Sequence, residues 1–339
     1  MDFAMPEQTN HGLHIVEIEI TNACNLSCTH CYVQKDKTIF MSMQQVKSLI
    51  DQCSELGVYR MVFTGGEPLL HKDLFALAAY AKEHNIPEIV LFTNGLLITE
   101  SNANSLSVFH HVQISIDVPP GEKGHFRMEY GKELEKRVKL LVAKHIPVYL
   151  HATLHRSLLD FISPLIEYAH GLGVRIGFNK LSPMNRKELQ HECLQPDELK
   201  RALTIIASFM HKEGYNVGCS DPLLFLVDEN RMAYFASLKG KGIKGGCTAG
   251  IAALYITASG EVYPCPFLTL SAGNVFKTSL RNIWYNSSLL EKLRNRSSYE
   301  GRCGQCQFVD CCGGCRVSSF SRTGSITGSD EDCFLEVHS

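Results

Sequence analysis

The chain has 339 residues, with 33 Lys and Arg against 35 Asp and Glu, 45% hydrophobic residues and 20% charged ones. That composition excludes global disorder, and a net charge of −2 argues against a nucleic-acid binder. No run of about 20 apolar residues is present to cross a bilayer. The opening MDFAMPEQTNHG lacks the basic and apolar regions of a signal peptide, so a cytoplasmic chain without membrane partners is expected.

Short apolar runs alternate with helical patterns over the first 180 residues. Strands rich in Val, Ile and Phe are predicted at 13–20, 59–63, 88–92, 112–117, 147–153 and 174–178. Between them, SMQQVKSLIDQCSELG predicts a helix with Ser42 as cap, Gln45 completing a capping box and Gly57 ending it. GKELEKRVKLLVAKH spaces Leu134, Val138, Leu141 and Val142 on one helical face, and LLDFISPLIEYAHGLG repeats the theme. Six strands with helical crossovers predict a parallel sheet, either an incomplete barrel or an open doubly wound sheet. Beyond it, 179–195 reads as a loop, 196–214 as a helix and 238–246 as a glycine- and lysine-rich connection. LYITASGEVYPCPF reads as a hairpin turning at Ser259-Gly260. Three units are expected: a tail at 1–12, the sheet-forming domain at 13–235 and a cysteine-rich domain at 236–339.

Fourteen cysteines in a reducing compartment point to metal rather than disulfides. Three lie between 24 and 31 and five between 303 and 315. Cys24, Cys28 and Cys31, in a C-x3-C-x2-C pattern after the first strand, can hold three irons of a four-iron cluster and leave the fourth open to a small molecule. A zinc loop with His30 as fourth ligand is the alternative at this point. Cys53, Cys193 and Cys219 stand apart and read as buried free thiols.

Cys24-Asn-Leu-Ser-Cys28-Thr-His-Cys31 strongly resembles the signature of the radical S-adenosylmethionine (SAM) enzymes. Thr64-Gly65-Gly66-Glu67-Pro68, Thr93-Asn94-Gly95, Ser115-Ile116-Asp117 and Leu181-Ser182-Pro183-Met184-Asn185-Arg186 follow or close successive strands, as in that family. The resemblance implies a partial (β/α)6 TIM-like barrel with its site at the strand C-termini. It implies that the open iron chelates SAM and that Gly65, Gly66 and Glu67 bind the methionine end. His30 would lie against the adenine. Ser115 and Asp117 would bond the ribose or carboxylate, and Asn94 would add a polar contact.

Cys247, Cys265, Cys303-x2-Cys306-x5-Cys312-x2-Cys315 and Cys333 resemble the SPASM extension carried by some of these enzymes. That likeness implies two auxiliary four-iron clusters in a small C-terminal domain. Cys247, Cys265 and Cys315 would hold the first, with an open iron or an oxygen ligand where many relatives have a further cysteine. Cys303, Cys306, Cys312 and Cys333 would hold the second. Cys311 competes with Cys312 by position. A zinc ribbon on Cys303, Cys306, Cys312 and Cys315 has an inner spacing too short for the roughly 15–20 residues of a ribbon.

The resemblance implies reductive cleavage of SAM to a 5′-deoxyadenosyl radical, then hydrogen-atom abstraction from substrate. A peptide or protein side chain leads as substrate, oxidatively modified. A small molecule of a tetrapyrrole, sugar or nucleoside pathway is the alternative, and Cys312-Gly-Gly-Cys315-Arg316 resembles the haem branch. An electron carrier without SAM chemistry is a remoter reading, opposed by Gly65-Gly66-Glu67. A flavodoxin- or ferredoxin-type reductant is an expected partner. With 23 residues ahead of Cys24, a peptide-recognition domain would be a separate protein. His125, Arg127 and Asp221 are acid–base candidates by loop position alone.

Overall fold

Along the first strand, β1 (Ile15–Thr21), Val16, Ile18 and Ile20 alternate with Glu17 and Glu19. The apolar parity is fully buried and packs under helices, while the acidic parity faces across the sheet's concave side. The same alternation recurs in β5 (Val148–Leu154), where Val148, Leu150, Ala152 and Leu154 are buried and Tyr149, His151 and Thr153 are not. A wall with one face under helices and the other lined by polar and aromatic groups is how a barrel encloses a site.

The computed structural model describes residues 12–34, 37–122, 131–182, 186–238 and 245–335. Among these, the remaining strands are β2 (Arg60–Gly65), β3 (Glu88–Thr93), β4 (His111–Ser115), β6 (Arg175–Lys180), β7 (Val217–Cys219), β8 (Ala253–Ile256), β9 (Glu261–Tyr263) and β10 (Gly273–Asn274). They form one sheet in the order β10-β9-β8-β1-β2-β3-β4-β5-β6-β7. Pairing is parallel from β8 through β1 to β7, so the C-termini of the first six strands share one rim. β7 and β10 remain unjoined edges, which makes this the expected partial barrel with a cysteine-rich C-terminal region.

The crossovers are helices. α1 (Met43–Glu55) starts from the predicted Ser42 capping box and buries Val46, Leu49, Ile50 and Cys53. Each such aliphatic side chain contributes about 1.5–3 kcal/mol on burial. α2 (Leu74–Glu83), the single turn α3 (Glu100–Ala103), α4 (Gly131–Ala143), α5 (Ile162–Gly171) and α6 (Pro196–Met210) complete the outer layer. α5 begins later than its apolar pattern suggests, because 3-10 turns at Arg156–Phe161 precede it.

Among the described residues, four strands, β7 to β10, lie outside the six-strand reading. β7 is three residues long, too short for a periodic signal. β8 lies beside β1, with Ile15 opposite Ala253 and Ile18 opposite Ile256. The predicted hairpin is therefore part of the barrel wall, turning at Gly260 with φ +83°. No helix among the described residues is long and apolar enough to cross a membrane.

Candidate active site at the rim of the barrel

The loop after β1 carries Cys24, Cys28 and Cys31, all half-buried and outside any disulfide. One buried side chain closes its neck. Asn22 Nδ2 donates to the Gln34 and Lys37 carbonyls at 3.0 and 2.6 Å, and its Oδ1 accepts from Ile39 N at 2.7 Å. Inside the loop, Cys31 N donates to the Cys28 carbonyl at 3.3 Å and Leu26 N to the sulfur of Cys24 at 3.4 Å. A backbone donor on sulfur favours the thiolate form that iron requires.

The turn after β2 is pressed against that loop. Gly66 N donates to Thr21 O at 2.8 Å and Glu67 N to Ala23 O at 2.7 Å. A Cβ at Gly65 would stand 2.1 Å from Thr21 O, and one at Gly66 2.2 Å from Ala23 O. Only glycine permits this approach, and Gly65 also holds φ +154°. Glu67 is fully buried. Its Oε1 accepts from Leu69 N at 3.0 Å and Thr93 Oγ1 at 2.8 Å, and its Oε2 from Asn94 N at 2.8 Å. Burial pushes its carboxyl up to about 7 against those donors. Glu67 thus braces the glycine turn to the end of β3.

Asn94 extends the brace to the cysteine loop, donating to Asn25 Oδ1 at 2.8 Å and standing 3.9 Å from the sulfur of Cys24. From the far side, Arg186 Nη1 donates to Thr29 O at 3.1 Å. His30 sits half-buried within the loop, Ser115 ends β4 and Asp117 follows it half-buried. The structure gathers Cys24, Cys28, Cys31, Gly65, Gly66, Glu67 and Asn94 through direct contacts and sets Ser115 and Asp117 on the same rim. His125 and Arg127 lie outside the described residues, as do 183–185 of the loop after β6.

The concave face holds polar groups that sequence reading passed over. Gln113, His151, Thr153 and Asn179 share the parity of Ser115, and Thr153 Oγ1 approaches Asn179 Oδ1 at 3.5 Å. The signal was present in VYLHATL, where His and Thr alternate with Leu and Ala. Lower in the barrel, Arg60 pairs with Glu88 at 2.6 Å, Glu88 reaches His111 at 3.6 Å, and His111 stacks on Tyr149. These residues begin their strands, so they close the end opposite the rim.

Several C-terminal cysteines lie close to one another. Cys265 lies within electrostatic reach of Cys247 and Cys315. Cys333 lies in reach of Cys303, and Cys312 in reach of Cys333. Backbone N–H groups aim at the sulfurs of Cys303, Cys306 and Cys312, from Asp330 at 3.2 Å, Phe308 at 3.4 Å and Gly314 at 3.3 Å. Cys311 lies in reach of Cys306, and its thiol donates to Phe308 O at 3.6 Å. Burial pushes Cys315 up to about 12 and Cys333 to about 11. Ionising so many buried thiols requires a nearby cationic centre. Among the described residues, no three His, Cys, Asp or Glu side chains converge on a single-ion site. A tetrahedral zinc would draw its sulfurs to ~3.8 Å of one another. Thiols grouped but spread, with N–H donors on sulfur, fit a multi-iron cluster better.

The radical SAM superfamily model matches residues 18–157, and the SPASM iron-sulfur cluster-binding domain model matches 247–311. The chain belongs to the radical SAM superfamily and carries a C-terminal SPASM domain. It is a radical SAM enzyme, built to hold iron–sulfur and SAM. It is 27% identical to an AdoMet-dependent heme synthase of Oleidesulfovibrio alaskensis, over 96% of this chain and 88% of that protein. It is 29% identical to the mycofactocin maturase MftC of Mycolicibacterium smegmatis, over 93% of this chain and 81% of the maturase. Among solved structures, anSMEcpe with bound AdoMet superposes with a TM-score of 0.73 at 21% identity, covering 94% of each chain. Streptococcus suis SuiB bound to precursor peptide SuiA gives a TM-score of 0.75 at 18% identity, over 95% of this chain and 76% of SuiB. The SPASM match stops at Cys311, so Cys312, Cys315 and Cys333 lie beyond it.

Proposed function

We propose that this enzyme abstracts a hydrogen atom from a peptide or protein side chain and that the product is oxidised. The observation that carries the reaction class is the contact set joining three loops. Glu67 ties the glycine turn to Thr93 and Asn94, and Asn94 ties both to Asn25 beside Cys24. In this reading Cys24, Cys28 and Cys31 hold the cluster, and the backbone at Gly65-Gly66 lines the methionine end of SAM. His30 faces the adenine, while Ser115 and Asp117 take the ribose or carboxylate. When bound, the cluster and SAM supply one-electron reductive cleavage to a 5′-deoxyadenosyl radical. Gln113, His151, Thr153 and Asn179 orient the substrate on the concave face. Glu67, buried and bonded, keeps the turn rigid rather than moving protons.

The domain from residue 236 onward takes up two auxiliary four-iron clusters. Cys247, Cys265 and Cys315 bind one, and Cys303, Cys306, Cys312 and Cys333 the other. An external flavodoxin- or ferredoxin-type reductant feeds the site, and a separate recognition protein presents the peptide. The peptide reading is supported by 28–29% identity to the mycofactocin maturases. A second reading, a tetrapyrrole substrate, is favoured by one observation: a Methanosarcina barkeri heme synthase aligns over 95% of its own length.

The test of the reaction class is release of 5′-deoxyadenosine from SAM by reduced wild-type protein and none by Cys28→Ala. A fully loaded wild-type protein that releases none ends the proposal. Mass analysis of a candidate precursor peptide and of an iron porphyrin after turnover separates the two substrate readings.

A further inference from the structure

The segment Cys312-Gly-Gly-Cys315-Arg316 turns on two glycines in left-handed backbone, at φ +67° and +60°. Each glycine also makes room for a buried guanidinium. A Cβ at Gly313 would stand 2.8 Å from Arg296 Cζ, and one at Gly314 2.7 Å from Arg316 Nη2. Arg296 is 4% exposed and Arg316 2%. Arg296 donates to the backbone carbonyls of Val309, Asp310 and Gly245. Arg316 Nη1 donates to Ile326 O at 3.1 Å and Gly328 O at 2.8 Å, and its Cζ sits over the Tyr299 ring, 4.6 Å from the centroid. Its Nη2 donates to the sulfur of Cys303 at 3.6 Å, and its buried Nε has no hydrogen-bond partner.

Carbonyls satisfy the N–H groups of a buried guanidinium but leave its charge uncompensated, and an uncompensated buried charge is costly. The carboxylates of this region are engaged elsewhere. Lys180 Nζ stands 3.0 Å from Asp332 Oδ2, 3.7 Å from Asp221 Oδ2 and 4.0 Å from Asp330 Oδ1. Asp332 also accepts from Arg322 Nη2 at 2.9 Å, and Asp330 from Cys315 N at 2.7 Å. The hydrogen bonds of Arg316 run to carbonyls and to Cys303, whose sulfur receives a second donor, Asp330 N, at 3.2 Å. A cluster held by cysteine thiolates is an anion, and each added electron makes it more negative. A fixed buried cation bonded to one of its sulfurs therefore favours the reduced state.

We infer that Arg316 is a positioning residue that supplies the buried counter-charge of the auxiliary cluster at Cys303 and raises its reduction potential. The inference rests on the ligand reading proposed above. It also gives the two glycines a purpose, since side chains there would push the guanidinium groups away from the cysteines.

The experiment is an anaerobic redox titration of full-length wild type, Arg316→Gln and Arg316→Lys, followed by electron paramagnetic resonance. Arg316→Gln shifts the oxidised-to-reduced ratio of one auxiliary signal at least ~10-fold toward oxidised, a midpoint lowered by about 59 mV for one electron. Arg316→Lys keeps the charge and recovers most of that shift. The midpoint of the cluster at Cys24, Cys28 and Cys31 stays put. If Arg316→Gln loses iron, Arg316→Lys decides alone: full iron with a wild-type midpoint supports the inference and any other result overturns it. Loss of iron in both would mean that only the forked contact with Ile326 and Gly328 matters. An unmoved or raised midpoint in Arg316→Gln, or equal shifts in the two variants, overturns the inference while about 12 irons per wild-type chain leave the ligand reading standing. Wild type with only about four irons per chain overturns both.

Discussion

Tyr32 stands edge-on to Phe267, with ring centroids 5.2 Å apart and planes at 71°. Tyr32 follows Cys31 directly, and the backbone N–H of Phe267 points at the sulfur of Cys265. The loop of Cys24, Cys28 and Cys31 and the loop of Cys265 therefore touch through two rings. Tyr255 of β8 completes the contact edge-on at 5.8 Å and donates its hydroxyl to Glu19 of β1. Phe267→Leu retains bulk but loses the edge contact, which is worth about 0.5–1.5 kcal/mol. Urea unfolding of the anaerobic protein should show a loss of about 1 kcal/mol, with iron content unchanged.

Gly66→Ala places a methyl against two carbonyls, 2.2 Å from Ala23 O and 2.5 Å from Asn22 O. The turn must move off the cysteine loop. SAM affinity, measured by equilibrium dialysis, should fall by at least ~10-fold, which is about 1.4 kcal/mol. Affinity within twofold of wild type would show that the turn has no part in holding SAM.

Iron counting separates the adjacent cysteines. The full ligand set predicts about 12 irons per chain. Cys312→Ala should remove about four of them and Cys311→Ala none, because Cys312 receives Gly314 N and Cys311 spends its thiol on Phe308 O. A loss confined to Cys311→Ala would exchange the two roles.

Stability should depend on pH through β1. Burial raises Glu17 and Glu19 from 4.5 to about 7. Between those values the folded chain holds protons that the unfolded chain has released. Unfolding free energy therefore falls as pH rises toward 7 and levels off above it. Urea midpoints taken from pH 6 to pH 8 should trace that decline, and Glu17→Gln should flatten it. A wild-type midpoint that climbs with pH would show the opposite linkage.

The six principal strands were legible because Val, Ile and Leu recur between turn residues, and every motif loop fell at a strand end. Ser42 and Gln45 announced α1 through a capping pattern that is purely local. What stayed hidden was long-range. Nothing around Ala253 says that its strand pairs with Ile15 rather than staying in a separate hairpin. The roles of single polar residues were hidden for the same reason. The sequence points to Glu67 as a ligand for SAM, and only the fold adds that Leu69, Thr93 and Asn94 bond its oxygens. Lys180 gave no signal, since its partners Asp330 and Asp332 lie some 150 residues on. The two candidate auxiliary groups interleave along the chain, so spacing alone could not sort Cys315 from Cys312.

The parallel pairing of β8 on β1 sets an order of events during synthesis. The strand that leads into the SAM-site cysteines is made first, yet Ile15 gains its second neighbour only when Ala253 has been made. Until then one edge of β1 presents unpaired N–H and C=O groups, a template for association with other strands. A fragment cut before the hairpin keeps that edge permanently, so the barrel should be produced and studied with its C-terminal domain attached.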